Sequence, residues 1–385
     1  MASTAHYYGQ RALNALVDRA RDERFSRVLL VTGRSSYERC GAAARLAELE
    51  MFASVRRWSD FDPNPSVDDL RRGLAILRDH DPELIVGVGG GSPMDMAKLL
   101  CAFDGVGERA VESAIVAGSP VEFSSRTLFL VPTTSGSGSE ATHFAVVYIG
   151  SDKYSVAGDG LRPAAVALDP GLTLSGSAHQ RATSGVDAIC QATESLWAVG
   201  ATDRSRRSAR HALGLLLPAI EPFVDDPTPQ TARCMALGSH LAGRAIDVSK
   251  TTAAHALSYG ITKRYGIDHG NAVALTLGQF VSDHAVLVDR LQPGLDRASH
   301  ERAMAQIVDA YGRALGTSDA ASVGREINQL LGRLGLTSTL MEAGVRSESE
   351  LTELAATVNV ERLGNNPVVY STDELVGVLA RSLGR

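Results

Sequence analysis

An α/β domain built on a parallel sheet, followed by an all-α domain, is the architecture this sequence predicts. Three observations point there. Over about the first 170 residues, short apolar β-branched runs alternate with helical patterns, as parallel strands do when helices cover both faces of their sheet. From Ser184 onward those runs stop and only helical periodicity remains. A length of 385 residues suits two domains better than one. The boundary is expected near residue 175, giving domains 1–175 and 176–385. No long linker or low-complexity tract separates them, so they are expected to pack tightly with a cleft between.

Taken in order, Ala12 to Ala20 reads as a short amphipathic helix and Arg27 to Thr32 (RVLLVT) as a buried strand ending at Gly33. Glu38 to Leu49 reads as a helix and Met51 to Trp58 as a strand. After the break Asp62-Pro63-Asn64-Pro65-Ser66, either Ser66 or Asn64 could cap a helix over 68–78. Glu83 to Val88 (ELIVGV) is the next strand and runs into Gly89-Gly90-Gly91-Ser92-Pro93-Met94-Asp95, then a helix through Lys98 and Leu100. Leu128 to Val131 is followed by Pro132-Thr133-Thr134-Ser135-Gly136-Ser137-Gly138-Ser139-Glu140, and Phe144 to Tyr148 and Ala164 to Leu168 are further short strands. Helices are expected at 185–199, 204–223, 229–246, 252–264, 270–287, 300–314, 320–334, 347–357 and 372–383.

Hydrophobic residues make up 44% and charged residues 21%, enough apolar material for a sizeable core. A net charge of −6 argues against nucleic acid or an anionic membrane surface as partner. No apolar run approaches the ~20 residues that a membrane span needs, and MASTAHYYGQ lacks the layout of a signal peptide. Cys40, Cys101, Cys190 and Cys234 lie far apart without a CxxC pair, and read as reduced, packed thiols of a cytoplasmic protein.

Both glycine-rich loops follow strands, where ligands of parallel sheets bind. In GGGSPMD the glycines let a pyrophosphate approach backbone N–H groups at a helix N-terminus, where the helix dipole favours it. The spacing is not GxGxxG, so a tight strand-to-helix turn is the plain alternative. Asp95 is poor company for a phosphate and better suited to an amide such as that of a nicotinamide. TTSGSGSEAT offers hydroxyls and flexible backbone to the same ligand; otherwise it is a serine-rich surface loop. In the helical half, Ser184 with Asp187 resembles a capping box, so a helix is expected to begin there. Asp187, Gln191 and Glu194 share one helix face among the apolar Val186, Ala188, Ile189, Ala192 and Leu196, which implies a buried polar cluster. Between Lys250 and Gly270 (KTTAAHALSYGITKRYGIDHG), His255 falls on a helix and His269 just beyond a polar break, so both imidazoles can meet at one spot. Two ordinary polar histidines near a helix end is the alternative. With Asp187 they make a carboxylate and two imidazoles, a divalent-metal set with an open position, and Gln191 could add a neutral oxygen.

GGGSPMDMAK, PTTSGSGSEAT, GVDAICQATES and HALSYGITKRYGIDHG, in this order and spacing, together resemble the iron-containing (group III) alcohol dehydrogenase family. The likeness covers essentially the whole chain, including the closing NNP before a C-terminal helix. It implies the dehydroquinate synthase-like fold, with a nucleotide-binding α/β domain, a helical domain, a metal in the cleft and a homodimer. It implies Asn64, Gly90, Gly91, Ser92, Asp95, Thr133 and Thr134 around NAD(P)H, and Asp187, His255 and His269 as ligands of one divalent metal, Fe or Zn.

The chain departs from the family pattern at three places. Gln191 stands where His is usual, and an amide oxygen is a harder ligand that lowers the affinity expected for soft late metals. Tyr259 stands where a further His, a candidate proton relay, is often found; a phenol can donate a proton or orient a water but titrates near ~10. Gly33-Arg34-Ser35-Ser36 replaces the Asp that meets the ribose hydroxyls in NAD-preferring members. With no carboxylate to repel a 2′-phosphate, and Arg34 to pair with one, the expected cofactor tilts toward NADP(H).

Within the family, SKTTAAHALSY, the Gln of DAICQATES and the NNP ending resemble the phosphonoacetaldehyde reductase branch. This implies reduction of phosphonoacetaldehyde to 2-hydroxyethylphosphonate. A phosphonate dianion needs donors, and Lys250, Thr251, Thr252, Lys263 and Arg264 lie within about a turn or two of the histidines. Lys263 and Arg264 read as a solvated face; Lys250, expected at the start of the helix bearing His255, is the preferred anchor. The expected mechanism is hydride transfer to a carbonyl polarised by the metal, with a proton from water ordered by Tyr259. The alternatives are a general alcohol or polyol dehydrogenase of the same family, a sugar-phosphate cyclase like the dehydroquinate synthases, and a metal-free binding protein.

Overall fold

The computed structural model describes residues 4–119, 121, 124–150, 152–358 and 363–384. The chain divides into two compact units, residues 1–176 with 228–236, and residues 177–227 with 237–385.

The first unit holds eight strands: β1 (Ala5–Tyr8), β2 (Arg27–Thr32), β3 (Ser54–Trp58), β4 (Leu84–Gly89), β5 (Thr127–Pro132), β6 (Phe144–Ile149), β7 (Asp152–Ala157) and β8 (Ala165–Leu168). Its helices are α1 (Ala12–Asp22), α2 (Ser36–Arg39), α3 (Ala42–Leu46), α4 (Val67–His80), α5 (Gly91–Ala102) and α6 (Glu108–Val116). Six strands form one parallel sheet in the order β1-β8-β5-β4-β2-β3. The apolar runs of β2, β4 and β5 are uninterrupted because both faces of the sheet are covered. Val28, Leu30, Val86, Val88 and Phe129 pack with Leu13, Leu16 and Val17 of α1. Leu29, Val31, Ile85, Leu128 and Leu130 pack with Leu70, Leu74 and Leu77 of α4 and Met94 of α5. The chain leaves β2 for β3 on one side and then crosses to β4 on the other, so the strand order reverses at the β2–β4 pair. Ligands of open α/β sheets bind beyond the carboxyl ends of the strands at such a reversal. Gly33-Arg34 and Gly89-Gly90-Gly91 lie there.

The structure corrects several expectations in this unit. The helix expected over Glu38 to Leu49 is broken into α2, α3 and a 3₁₀ turn (Ala47–Met51), with Gly41 left-handed at φ 81° between the first two. Strands β1 and β7 and helix α6 were not expected; β1 is four residues long and β7, DKYSVA, is mostly polar. Phe144 to Tyr148 does not extend the main sheet. It pairs antiparallel with β7 as a separate two-stranded sheet.

The second unit is built from α7 (Ala178–Trp197), α8 (Asp203–Asp225), α9 (Pro229–Ser249), α10 (Ala253–Tyr265), α11 (His269–Val286), α12 (Arg297–Leu315), α13 (Ala320–Arg333), α14 (Leu340–Ala343), α15 (Glu348–Ala356) and α16 (Thr372–Arg381). The first turns of α9, within 228–236, belong to the first unit. Helix α7 starts six residues before the expected capping box at Ser184. Ser177 is the cap, its hydroxyl accepting from Gln180 N at 3.1 Å, and Ser184 lies inside the helix with its hydroxyl donating to Gln180 O at 2.7 Å. Helix α10 ends at Gly266, left-handed at φ 69°, so only Gly266 to Asp268 separate it from α11. No helix among the described residues is long and apolar enough to cross a membrane.

Candidate active site

Three helices of the second unit supply the candidate metal ligands. Asp187 and Gln191 project from α7, His255 from the first turn of α10, and His269 opens α11. The short α10–α11 connection turns the chain so that the two imidazole rings meet edge to face, with centroids 5.5 Å apart. A glycine then lets α11 reach α7. A Cβ on Gly270 would stand 2.1 Å from Thr183 O and 2.7 Å from Asp187 Cβ, so no other residue fits the crossing without moving a helix. The result is one ligand atom each from Asp187, His255 and His269, all within 4.8 Å of one another. An ion with bonds of about 2.0–2.2 Å reaches all three after small side-chain adjustments.

The chemistry of the donors fits a divalent cation. Asp187 Oδ1 is buried with no well-formed hydrogen bond among the described residues and lies 3.4 Å from His255 Nε2, an arrangement that is costly for a carboxylate oxygen unless positive charge faces it. Its other oxygen accepts from Gln191 Nε2 at 3.0 Å. His255 Nδ1–H donates to Glu194 Oε2, which leaves Nε2, 3.4 Å from Asp187 Oδ1, as the atom that carries the lone pair when the ring is neutral. His269 Nδ1 lies 3.3 Å from Ser258 Oγ, whose own hydrogen goes to His255 O, so Nδ1–H donates and Nε2 again keeps the lone pair. Burial alone would push the His255 imidazole down, but the Glu194 carboxylate and the neighbouring Asp187 lift it to about 9, so without an ion the ring carries a proton on Nε2 that a bound cation would replace. Burial likewise raises the Glu194 carboxyl, and the His255 charge with the Thr252 donors more than offsets it, holding the group below the ordinary carboxylate range. With the His255 Nε2 proton displaced, Asp187 and Glu194 leave negative charge where a cation would sit.

The remaining candidates of this unit fall around it unevenly. The Tyr259 ring stacks on His269 at 5.8 Å and 9°. Lys250 does not start α10. It is left-handed at φ 60° just past α9, its N–H bonds Ile246 O, and its ammonium reaches back to Asp247 O at 3.5 Å. Arg264 pairs with Glu353 and lies 3.8 Å from Glu350, in keeping with a solvated face.

In the first unit, α5 has Gly90 as its N-cap, so no cap side chain covers its first N–H groups. A Cβ on Gly90 would come within 3.3 Å of Thr134 Oγ1, and one on Gly91 within 3.2 Å of Ser137 Cβ. The loops after β4 and β5 thus lie together at a helix N-terminus whose cap is a glycine, which fits a pyrophosphate. Asn64, left-handed at φ 63°, donates its N–H to Ser92 Oγ at 3.0 Å, and Thr133 N–H donates to Gly89 O at 2.9 Å. Asp95 accepts from Ser139 Oγ at 2.6 Å and from Val146 N at 3.1 Å, and burial raises its carboxyl despite those bonds and Lys98. These bonds secure the second loop. Lys98, fully buried, pins the same loop through Ser139 O, Thr142 O, Thr142 Oγ1 and Phe144 O. Arg34 is exposed and pairs with the exposed carboxylates of Asp60 at 3.1 Å and Asp62 at 3.6 Å, which a 2′-phosphate there would have to displace.

Sequence reasoning did not assign roles to Ser258, Lys98 or Glu194, although Glu194 stood out as the third polar residue on the face of Asp187 and Gln191.

Comparison with known proteins follows the same division of the chain. Residues 3–170 match a family model described as iron-containing alcohol dehydrogenase, and residues 181–383 match the C-terminal model of the Fe-containing alcohol dehydrogenase family. The chain is 36% identical over 231 residues to a phosphonoacetaldehyde reductase of Streptomyces viridochromogenes, covering 57% of this chain and 58% of that protein. It is 32% identical over 267 residues to long-chain-alcohol dehydrogenase 1 of Geobacillus thermodenitrificans, covering 67% and 63%. These alignments span less than two thirds of either relative. Among solved structures, a sulfoacetaldehyde reductase from Bifidobacterium kashiwanohense in complex with NAD+ superposes with a TM-score of 0.86 at 26% identity, covering 100% and 98% of the two chains. An iron-containing alcohol dehydrogenase from Thermotoga maritima gives 0.83 at 25% identity, covering 100% and 99%. With both parts of the chain matched, this protein belongs to the iron-containing alcohol dehydrogenase family.

Proposed function

We propose that the chain is a metal-dependent, NAD(P)H-linked reductase of aldehydes, with phosphonoacetaldehyde as its substrate and 2-hydroxyethylphosphonate as product. The convergence of Asp187, His255 and His269 is the observation that carries the reading. When bound, a divalent ion (Fe or Zn) would polarise a carbonyl oxygen as a Lewis acid, and NAD(P)H would supply the hydride. Asp187, His255 and His269 hold the ion in this reading, and Gln191 both steadies Asp187 and offers its amide oxygen. Asn64, Gly90, Gly91, Ser92, Asp95, Thr133 and Thr134 hold the dinucleotide. Tyr259, stacked beside His269, orders the water that protonates the nascent alkoxide. Lys250 supplies positive charge for the anionic end of the substrate. Two similar proteins, a phosphonoacetaldehyde reductase and a sulfoacetaldehyde reductase, take their names from acetaldehydes bearing an acidic group, which favours this class over a general alcohol or polyol dehydrogenase. We read the working form as a soluble cytoplasmic homodimer.

The test compares initial rates with phosphonoacetaldehyde and with uncharged aldehydes of similar length, each with NADH and NADPH. Phosphonoacetaldehyde is expected to give the highest kcat/KM. Faster turnover of uncharged aldehydes would overturn the substrate, and no loss of nicotinamide absorbance with any aldehyde would overturn the reductase in favour of cyclase chemistry.

A further inference from the structure

We propose that Glu194 is the positioning residue of the metal centre, fixing the tautomer and ring orientation of His255 from inside the helix bundle. The inference rests on the reading that Asp187, His255 and His269 hold a divalent ion. Its ground is the set of bonds that converge on one side chain. The Glu194 side chain is fully buried, three residues before the C-terminal end of α7. Its Oε1 accepts from Thr252 Oγ1 at 2.8 Å, Ala254 N at 3.0 Å and His255 N at 3.3 Å. Its Oε2 accepts from Thr252 N at 3.1 Å and from His255 Nδ1.

These donors explain how a charge survives there. Helix α10 has no cap from its own N-cap side chain, since Thr252 turns its hydroxyl to Glu194 instead. A carboxylate from a neighbouring helix takes the capping place, where unpaired N–H groups and the positive end of the helix dipole favour an anion. Trp197 Nε1–H, from the last residue of α7, donates to Thr252 Oγ1 at 3.0 Å, so the threonine hydroxyl has one direction left for its hydrogen, toward Glu194. The carboxylate is thus held by α10 and, through Thr252, by α7 itself.

Capping alone would make Glu194 a structural residue. The bond to His255 Nδ1 gives it a second role. An imidazole that donates Nδ1–H to a carboxylate must present Nε2 as the unprotonated ligand, and it cannot rotate about its ring axis without breaking the bond. Partners of this kind raise ligand basicity, and their loss typically weakens metal binding by roughly 10–100-fold. The charge count agrees. Once a bound ion has displaced the proton on His255 Nε2, the carboxylates of Asp187 and Glu194 stand against neutral imidazole ligands, a formal −2 that a divalent ion neutralises.

The experiment uses the full chain and Zn2+ or Co2+ as probe. Glu194→Gln keeps the volume and an acceptor for the α10 cap, but an amide cannot match an ionised carboxylate toward Nδ1–H. Zn2+ affinity, measured by competition with a chromophoric chelator, is expected to fall roughly 10–100-fold, and the Co2+ absorption bands are expected to shift. Thr252→Val removes a capping bond and leaves the His255 contact, so it should lower the melting temperature while Zn2+ affinity stays within about 3-fold of the parent, well short of the loss expected from a metal-orienting contact. Equal Zn2+ affinity and unchanged Co2+ bands in Glu194→Gln would overturn the proposal. So would equal losses of affinity in both variants, the mark of a capping role alone. Independently of whether Glu194→Gln folds, the Zn2+-loaded parent protein labelled with 15N-histidine should show a slowly exchanging, downfield Nδ1–H from His255, identified by its loss in His255→Asn. Its absence would also overturn the proposal. A parent protein that binds neither metal would overturn the metal centre itself, whereas tight binding that ignores Glu194 would overturn only the positioning role.

Discussion

At the scale of single residues, the site depends as much on what is missing as on what is present. Gly270 has no side chain, and that is why His269 can stand beside Asp187. Gly270→Ala must push α11 away from Thr183 and Asp187. A stability loss of about 1–3 kcal/mol, the range for an overpacked core position, is expected together with weaker Zn2+ binding. Thermal denaturation and a Zn2+ titration check it, and an unchanged melting temperature would mean that the crossing has slack. Gln191 shows the reverse case. Read alone, it is a weak ligand in place of a better one. In the fold its amide donates to Asp187 Oδ2, a contact an imidazole N–H could also make but with a different reach. Arg34 has an equally local context, since Asp60 and Asp62 lie beside its guanidinium and would compete with a phosphate for it.

At the scale of elements, helix ends decide where the chemistry falls. The start of α7 is set by Ser177, not by Ser184. Ser177→Ala is expected to cost about 1 kcal/mol, the usual worth of a side-chain N-cap. Ser184→Ala, which removes only a bond back to Gln180 O, should cost a few tenths at most. Urea midpoints of the two variants decide, and the opposite ranking would mean that the helix begins later. The junction between α9 and α10 is held from a distance. Asn365, the first residue of the closing NNP, donates to Ser249 O at 2.8 Å and Thr251 O at 3.0 Å and accepts from Gly200 N at 2.9 Å. That motif marked a family resemblance in the sequence; in the structure it braces the segment that carries Lys250. The left-handed turn at Lys250 ends one helix, which is why Lys250 stands three residues before the head of α10 instead of at it.

At the scale of the whole molecule, buried histidines shape the response to acid. His284 is fully buried, with Nε2 accepting from Asn366 Nδ2 at 3.1 Å and His300 donating to its carbonyl at 2.8 Å. Burial first, and His300 second, push its pKa well below the ordinary histidine value. Above a pH of about 6.5 the ring is neutral in both folded and unfolded chains and contributes no pH dependence. Below that, the unfolded chain takes up a proton that the folded chain refuses, so stability falls as pH falls, by up to about 1.4 kcal/mol per pH unit for this one group. His284→Gln, which keeps an acceptor toward Asn366, should flatten the decline between pH 6.5 and 5 as read by chemical denaturation. Parallel profiles for the two proteins would show that His284 is not the source.

The residues that touch along the chain were legible before any fold was known. Uninterrupted apolar runs marked β2, β4 and β5, helical periodicity marked the second half, and glycines and hydroxyls marked the loops beyond β4 and β5, because each pattern reflects the environment of a single element. Asp187, His255 and His269 could be nominated by residue type and spacing for the same reason. Long-range contact decided the rest. Gly270 against Thr183, Ser258 beneath His269, Asp60 and Asp62 beside Arg34, and Glu194 behind His255 join positions that spacing does not relate. A buried carboxylate or a bare glycine shows its purpose only through what stands within a few ångströms of it. That neighbourhood is set by how the elements pack.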